Sequence, residues 1–337
     1  MRRAAECGLF STGQIVLAGE DGHPGANASG YSMDRLTRRF LAFSVWMLAY
    51  FLAYIAVAIA IRYLSHSFRI VEIAAIRSAG SLILAGFFVF RSKAVLHQLA
   101  GMQFGYHVQR SLIHLIGSLA LIWSLANLPL GFIATIEFSG PLFAAMLGLV
   151  VAGLIPGPVA CLGLSLIAVG SAYLLFSQGV SHDPRLLIPV GAVALLTITN
   201  LMLARLAESK SVVLIVFVMH AVQLPVYLCA LLIGLDVGGT AQPRDVHLED
   251  VLGVSLAVAV LMLAGFVTQT ALANASRYGS ALQLCAADTL RVPFLTLIGY
   301  FVFKEMLSES IVLPGLLVVA GAIITSLPQT RARSRQG

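Results

Sequence analysis

The chain has 337 residues, 59% of them hydrophobic and 11% charged, with a mean hydropathy of +0.93 and a formal net charge of +6. A soluble domain carries about 45 to 50% apolar and about 25% charged residues, so the composition excludes a soluble enzyme or nucleic-acid-binding module and indicates an integral membrane protein. Its apolar runs are too long for barrel strands; crossing a hydrocarbon core of about 30 Å as helix takes about 20 apolar residues.

Residues 1–39 form a polar, Gly-rich and then basic tail, expected to be disordered and cytoplasmic, in which Arg2-Arg3 is followed by no apolar signal-peptide core and Met33 is an alternative start. Ten spans follow in chain order: Phe40 to Ile61, Ile70 to Phe90, Ser111 to Leu128, Leu130 to Leu154, Pro158 to Phe176, Leu186 to Leu206, Val212 to Leu235, Val251 to Ala273, Ser280 to Phe303 and Ser308 to Leu327. Residues 328–337 are a basic tail. A cytoplasmic N-terminus puts fourteen arginines and lysines inside, among them Arg38, Arg39, Arg91, Lys93, Arg110 and Arg277, against Arg62, Arg69, Arg185, Arg244 and Lys304 outside. This satisfies the positive-inside rule with both termini in the cytoplasm, as for a multi-pass protein of the cell inner membrane. The net charge is then an orientation signal and requires no nucleic acid. Cys7, Cys161, Cys229 and Cys285 show no metal-ligand spacing and read as packing residues.

Two carboxylates stand inside apolar segments. Glu137 in the fourth span and Asp288 in the ninth each lie on the order of 10 to 12 Å from the membrane surface at about 1.5 Å per residue. A charge at that depth costs about 2.5 to 3.5 kcal/mol on insertion scales. An internal repeat relates them: at an offset of 151, Phe143 meets Phe294, Gly148 meets Gly299, Gly170 meets Gly321, and Glu137 meets Asp288. Upstream, Leu125-Ala-Asn127 matches Leu272-Ala-Asn274. Two halves of five spans each, 40–177 and 178–327, enter the membrane in opposite senses, which makes an inverted repeat with a site expected near the midplane.

The segments Leu128-Pro-Leu-Gly-Phe-Ile-Ala-Thr-Ile-Glu-Phe-Ser-Gly-Pro141, Tyr278-Gly-Ser-Ala, Asp288-Thr-Leu-Arg-Val-Pro293 and Gly299-Tyr-Phe-Val-Phe-Lys-Glu305 resemble signatures of the drug/metabolite transporter superfamily, EamA type. Arg77 matches an arginine of that family, and the resemblance runs from Phe40 to Leu327. It departs in two places: Leu154 stands opposite Glu305, and Lys304 stands where glycine is common. The resemblance implies an all-α membrane protein of ten helices that exports small organic metabolites.

Several residues could carry the chemistry. Two neighbouring carboxylates resist simultaneous ionisation, so Glu137 and Asp288 could bind and release a proton or cation at the pseudo-two-fold axis; alternatively each is a structural carboxylate. Arg291, one turn after Asp288, could pair with it or clamp a substrate carboxylate. Because Gly140 occupies the matching position after Glu137, Glu137 is expected to be the carboxylate that changes protonation and Asp288 the one that stays paired. Arg77 is expected to snorkel to the outer interface or form a structural pair. Trp46, Tyr50 and Tyr54 recur every four residues and form a stripe that walls a cavity or packs on a neighbour. Trp123, Asn127, Asn200 and Gln269 could orient a ligand or join helices. His114 and His220 are expected to hydrogen-bond between helices. Gly140, Ala144, Gly148 and Ala152 give the fourth span a small-residue face for close helix approach, suited to a gate or to packing.

No Walker loop, Gly-x-Ser-x-Gly or paired-histidine zinc motif occurs. The expected function is secondary transport by alternating access, with no cofactor and no enzymatic activity. Amino acids suit the mixed polarity of the site best as cargo. Two alternatives stand: an uncoupled facilitator or exchanger, and a lipid-modifying enzyme with Glu137 or His114 as base, for which no nucleophile or metal site is found. The expected partners are a small-molecule substrate and the lipid bilayer, with a homodimer left open.

Overall fold

In a computed structural model of the protein, the described residues are 28–152, 156–177, 185, 187–235, 237–238, 251–304 and 312–327. All regular structure among them is helical. The helices are α1 (Ala28–Leu64), α2 (Ile70–Arg91), α3 (Lys93–Ala100), α4 (Phe104–Asn127), α5 (Leu130–Glu137), α6 (Gly140–Ala152), α7 (Pro158–Ser177), α8 (Leu187–Ser209), α9 (Val212–Leu232), α10 (Val251–Ala275), α11 (Ala281–Asp288), α12 (Val292–Phe301) and α13 (Val312–Ser326), with a 3-10 turn at Thr289–Arg291 between α11 and α12.

Among the described residues, seven stretches are helical, apolar and long enough to cross a membrane: Thr37–Leu64, Ile70–Arg91, Phe104–Asn127, Leu187–Ser209, Val212–Leu232, Val251–Ala275 and Ala281–Phe301. Shorter apolar helices cover Gly140–Val150, Pro158–Tyr173 and Leu313–Ser326. Of the ten expected spans, seven have this length among the described residues, and the fourth is divided into Leu130–Glu137 and Gly140–Ala152. The expected disordered tail is also shortened, because α1 already begins at Ala28 and Met33 lies within it. Cys7, Leu154, Glu305, Ser308 and the tail 328–337 lie outside the described residues.

The fourth span breaks immediately after Glu137, and the local chemistry explains why. Pro141 has no N–H for the Glu137 carbonyl, and its ring crowds that turn; the Ser139 hydroxyl donates to the Ile136 carbonyl at 2.6 Å. The ninth span repeats the device: Pro293 denies the Thr289 carbonyl its α-helical donor, so that carbonyl accepts from the Val292 N–H in a 3-10 turn, and the Thr289 hydroxyl donates to the Ala286 carbonyl at 2.6 Å. Breaks of this kind are tolerated in an apolar medium where hydroxyls or neighbouring helices satisfy the freed backbone groups. At the offset of 151, α5 (Leu130–Glu137) superposes in sequence on α11 (Ala281–Asp288), so each carboxylate ends the first half of a broken helix.

The helices pack in reciprocal pairs: α1 on α10, α4 on α8, α2 on α9 and α7 on α13. The broken helices cross, with α5 against α12 and α11 against α6. Their principal core joins α1, α2, α4, α8 and α10 around Tyr54, Ile61, Ile73, Ile122, Leu203 and Leu261. Helix ends are closed by arginine. Arg62 donates to the Leu125 and Leu128 carbonyls at the end of α4, and Arg277 to the Ala207 and Lys210 carbonyls at the end of α8, satisfying groups that have no partner within their own helix. Arg110, expected at the cytoplasmic surface, is instead buried between α4, α8 and α9, where it donates to the Thr199 carbonyl and the Met219 sulfur.

The small-residue face of α6 does not serve a tight crossing: a Cβ at Gly148 would meet no neighbour, and one at Gly140 only the Val193 side chain at 3.9 Å. The close approach is between α7 and α13, where a Cβ on Gly321 would lie 2.5 Å from the Gly163 carbonyl oxygen and one on Gly163 would lie 2.7 Å from the Gly321 carbonyl oxygen. Small residues on facing positions let backbones touch, and that contact is what binds helices in lipid. Gly321→Val is expected to lower stability by about 1 to 3 kcal/mol through overpacking, measured as an earlier unfolding midpoint in detergent. Lys304 has φ 56°, the left-handed conformation that favours glycine.

Candidate functional site

The two broken helices deliver Glu137, Asp288 and Arg291 to one place beside Tyr50 and Tyr54 of α1. Arg291 Nη2 donates to Glu137 Oε1 at 2.9 Å, and Arg291 Nη1 pairs with the Asp288 carboxylate one turn earlier. Nη1 also donates to the Tyr50 hydroxyl at 3.0 Å and the Asp288 carbonyl at 3.2 Å. The Tyr54 hydroxyl donates to Glu137 Oε1 at 2.8 Å. The guanidinium carbon lies 4.0 Å from the centre of the Tyr54 ring and 5.6 Å from that of Tyr50, so two aromatic faces add cation–π attraction to the ion pairs.

One guanidinium therefore serves two carboxylates. Glu137 and Asp288 do come together, but Glu137 is not the unpaired partner expected from Gly140. Glu137 Oε2 is buried without a hydrogen bond, and the Glu137 side chain is only 4% exposed against 19% for Asp288. Asp288 is the carboxylate that a solute or water reaches more readily.

These residues face a cavity of about 80 Å³ bounded by α1, α2, α4, α5, α6, α8, α10 and α11. It is smaller than the roughly 300 to 1,000 Å³ of sites for drug-sized ligands, and suits a compact ligand or a few waters. Tyr50, Tyr54, Arg77, His114, Glu137, Gly140, Asn200, Gln269, Asp288 and Arg291 all line it. Trp46, Trp123, Asn127 and Gly148 do not. Trp46 and Trp123 pack against the core, and the Asn127 amide donates to the Trp123 carbonyl at 2.9 Å within α4. The aromatic stripe is thus split, two tyrosines on the cavity and the tryptophan away from it.

Arg77 is placed otherwise than expected. It lines the cavity, its stem passing against Gly265 of α10. Cys285, read as a packing residue, also lines the cavity wall. Cys161, Cys229 and Cys285 are free thiols, and no metal-holding cluster of His, Cys, Asp or Glu occurs among the described residues.

Behind Arg77 a polar network joins the helices. His114 Nδ1 lies 3.0 Å from the Gln223 amide nitrogen and His114 Nε2 lies 3.2 Å from that of Gln269, linking α4, α9 and α10. A neutral imidazole donates from one nitrogen and accepts at the other, so one of these glutamines presents its oxygen to the ring. Gln223 also donates to the Ser111 carbonyl at 3.0 Å, and Ser78 bonds His220 Nδ1 at 3.0 Å. Both histidines join helices, as their residue type suggested. Gln223, Thr197 and Thr268 carried no distinguishing sequence signal, since isolated hydroxyls and amides in apolar helices are equally common as local helix bonds.

No protein-family model matches the chain, and no curated protein matches it. A solved structure described only as the crystal structure of a protein has a TM-score of 0.63 to this chain at 14% identity, covering 84% of this chain and 96% of its own. At that identity the likeness establishes a shared fold: a helical architecture already represented among crystal structures, on which the Glu137, Asp288 and Arg291 site is built.

Proposed function

We propose that the protein is a secondary transporter of small organic metabolites, its ten helical segments forming two inverted halves that rock about the central cavity. The observation that carries this reading is an ionisable trio at the crossing of two broken helices. With Arg291 cationic and both carboxylates ionised, Glu137, Asp288 and Arg291 sum to one negative charge; Arg77 lines the same cavity but contacts neither carboxylate, so the trio itself is one proton or cation short of neutrality. Burial at mid-depth makes that deficit expensive, and a bound proton relieves it. The proton belongs to the coupled pair rather than to one residue, with Asp288 the more accessible route.

The pairing of helices supports the inverted halves. Exchanging the first five spans for the last five turns the α1–α10 contact into the α4–α8 contact and returns α2–α9, α7–α13 and the crossed broken helices to themselves. Broken helices meeting at the midplane are a recurrent way for transporters to build a site. The positive-inside count and the resemblance to EamA-type proteins favour a cytoplasmic-membrane exporter with both termini inside.

Protein in liposomes, given radiolabelled amino acids and an imposed pH gradient, is expected to show solute flux that collapses when the gradient is dissipated. Flux driven by solute gradient alone would favour an uncoupled facilitator. No flux, with lipid product formed instead, would favour a membrane enzyme.

A further inference from the structure

Arg77 is the charged side chain of the cavity that touches no partner among the described residues. The other buried or half-buried arginines among the described residues are occupied: Arg62 by helix-end carbonyls, Arg110 by the Thr199 carbonyl and the Met219 sulfur, Arg205 over the Tyr106 ring, and Arg291 by two carboxylates. Arg77, in the middle of α2, makes no ion pair and no hydrogen bond with a described residue. The two carboxylates on the cavity, Glu137 and Asp288, are both committed to Arg291. Neither carboxylate contacts Arg77, whose only counter-charge in the cavity is the one negative charge left over on the trio.

Nor is Arg77 free to leave. A Cβ at Gly265 would fall 2.7 Å from Arg77 Cγ and 3.3 Å from Cδ, so the absence of a side chain at Gly265 makes the room through which the Arg77 stem passes between α2 and α10. A cation held in an apolar bundle without a contacting partner is costly. Around it, His114, Thr197, Asn200 and Gln269 line the same cavity with uncharged hydrogen-bonding groups. Such groups orient a polar ligand without neutralising the guanidinium.

We propose that Arg77 binds the carboxylate of a small organic acid or amino acid, forming the anionic subsite of the cavity. The planar guanidinium fork matches a carboxylate through two parallel hydrogen bonds, which a point charge does not. The volume of about 80 Å³ limits the occupant to a few carbons. This inference rests on the transport reading for calling the ligand cargo; the subsite itself does not require flux.

The test is equilibrium binding to purified full-length protein in detergent, at constant ionic strength, read as a shift of the unfolding midpoint. Propionate and alanine are expected to raise the midpoint, and ethylamine and propionamide to leave it unchanged. Arg77→Gln is expected to weaken carboxylate binding about tenfold or more, while Arg77→Lys keeps part of it. Ligand-free Arg77→Gln is expected to unfold no earlier than the wild type, because no ion pair or hydrogen bond of Arg77 is lost; a structural arginine would give the opposite. Gly265→Ala displaces the stem but keeps the charge, and is expected to weaken binding as well. If Arg77→Gln fails to fold, Gly265→Ala decides.

The proposal is overturned if neither propionate nor alanine shifts the midpoint, if only inorganic phosphate does, or if the shift survives Arg77→Gln or Gly265→Ala. Carboxylate binding without any flux in liposomes would leave the subsite standing and remove the transport reading. Flux of amines without carboxylate binding would do the reverse.

Discussion

Arg291→Ala is expected to be the most damaging single substitution, destabilising the protein by about 3 to 5 kcal/mol, because it strands two buried carboxylates by removing the partner they share. The Nη2 bond to Glu137 at 2.9 Å, the Nη1 pair with Asp288 and the stacking on Tyr54 at 4.0 Å all go at once. Arg291→Lys keeps the charge but has one ammonium to offer two carboxylates and no planar face for the tyrosine rings, so an intermediate loss is expected. The measurement is the unfolding midpoint in detergent, with folded yield as a second readout. The combination Glu137→Gln, Asp288→Asn and Arg291→Gln is expected to recover much of the stability while remaining inactive, since it removes the uncompensated charges and the site together. If Arg291→Ala alone unfolds like the wild type, the trio is not the energetic centre of the bundle.

Glu137→Gln should separate coupling from translocation. The glutamine carbonyl can still accept from Tyr54 and Arg291, so the packing of α5 against α12 is retained. The charge is lost: with Asp288 ionised, the trio becomes neutral without a proton. Uptake driven by a pH gradient is therefore expected to fall by about a hundredfold or more, the loss of a step worth roughly 2.7 kcal/mol. Exchange of labelled for unlabelled solute, which needs no net proton movement, should persist. Asp288→Asn is expected to act in the same direction, because the proton belongs to the pair. The pH dependence of flux should flatten in both variants. Full pH-driven flux in both would remove the proton-site reading.

Much of the architecture is legible in the chain because lipid leaves few solutions. Free backbone groups cannot face hydrocarbon, so long apolar runs dictate helices, and seven of them have the expected character. The broken helices are also written locally: Pro141 and Pro293 each remove a donor just after a carboxylate, while the Ser139 and Thr289 hydroxyls bond the Ile136 and Ala286 carbonyls one turn back. The register that sets Glu137 opposite Asp288 marks both breaks. Gly140, Ala144 and Gly148 misled because spacing shows that a face is small, not that another backbone lies on it.

The membrane class, the helical solution and the placement of two carboxylates within apolar segments were legible in the sequence alone, since each follows from hydropathy and covalent geometry over neighbouring residues. Only the tertiary structure decided how the charges are shared. Glu137 meets Arg291 across 154 positions and Tyr54 across 83, and helical periodicity gives a residue's face without saying which distant helix that face meets. That is why Arg291 bridges both carboxylates, why Tyr50 and Tyr54 turn to the cavity while Trp46 does not, and why Arg77 is held there beside Gly265 with no acid in contact with it.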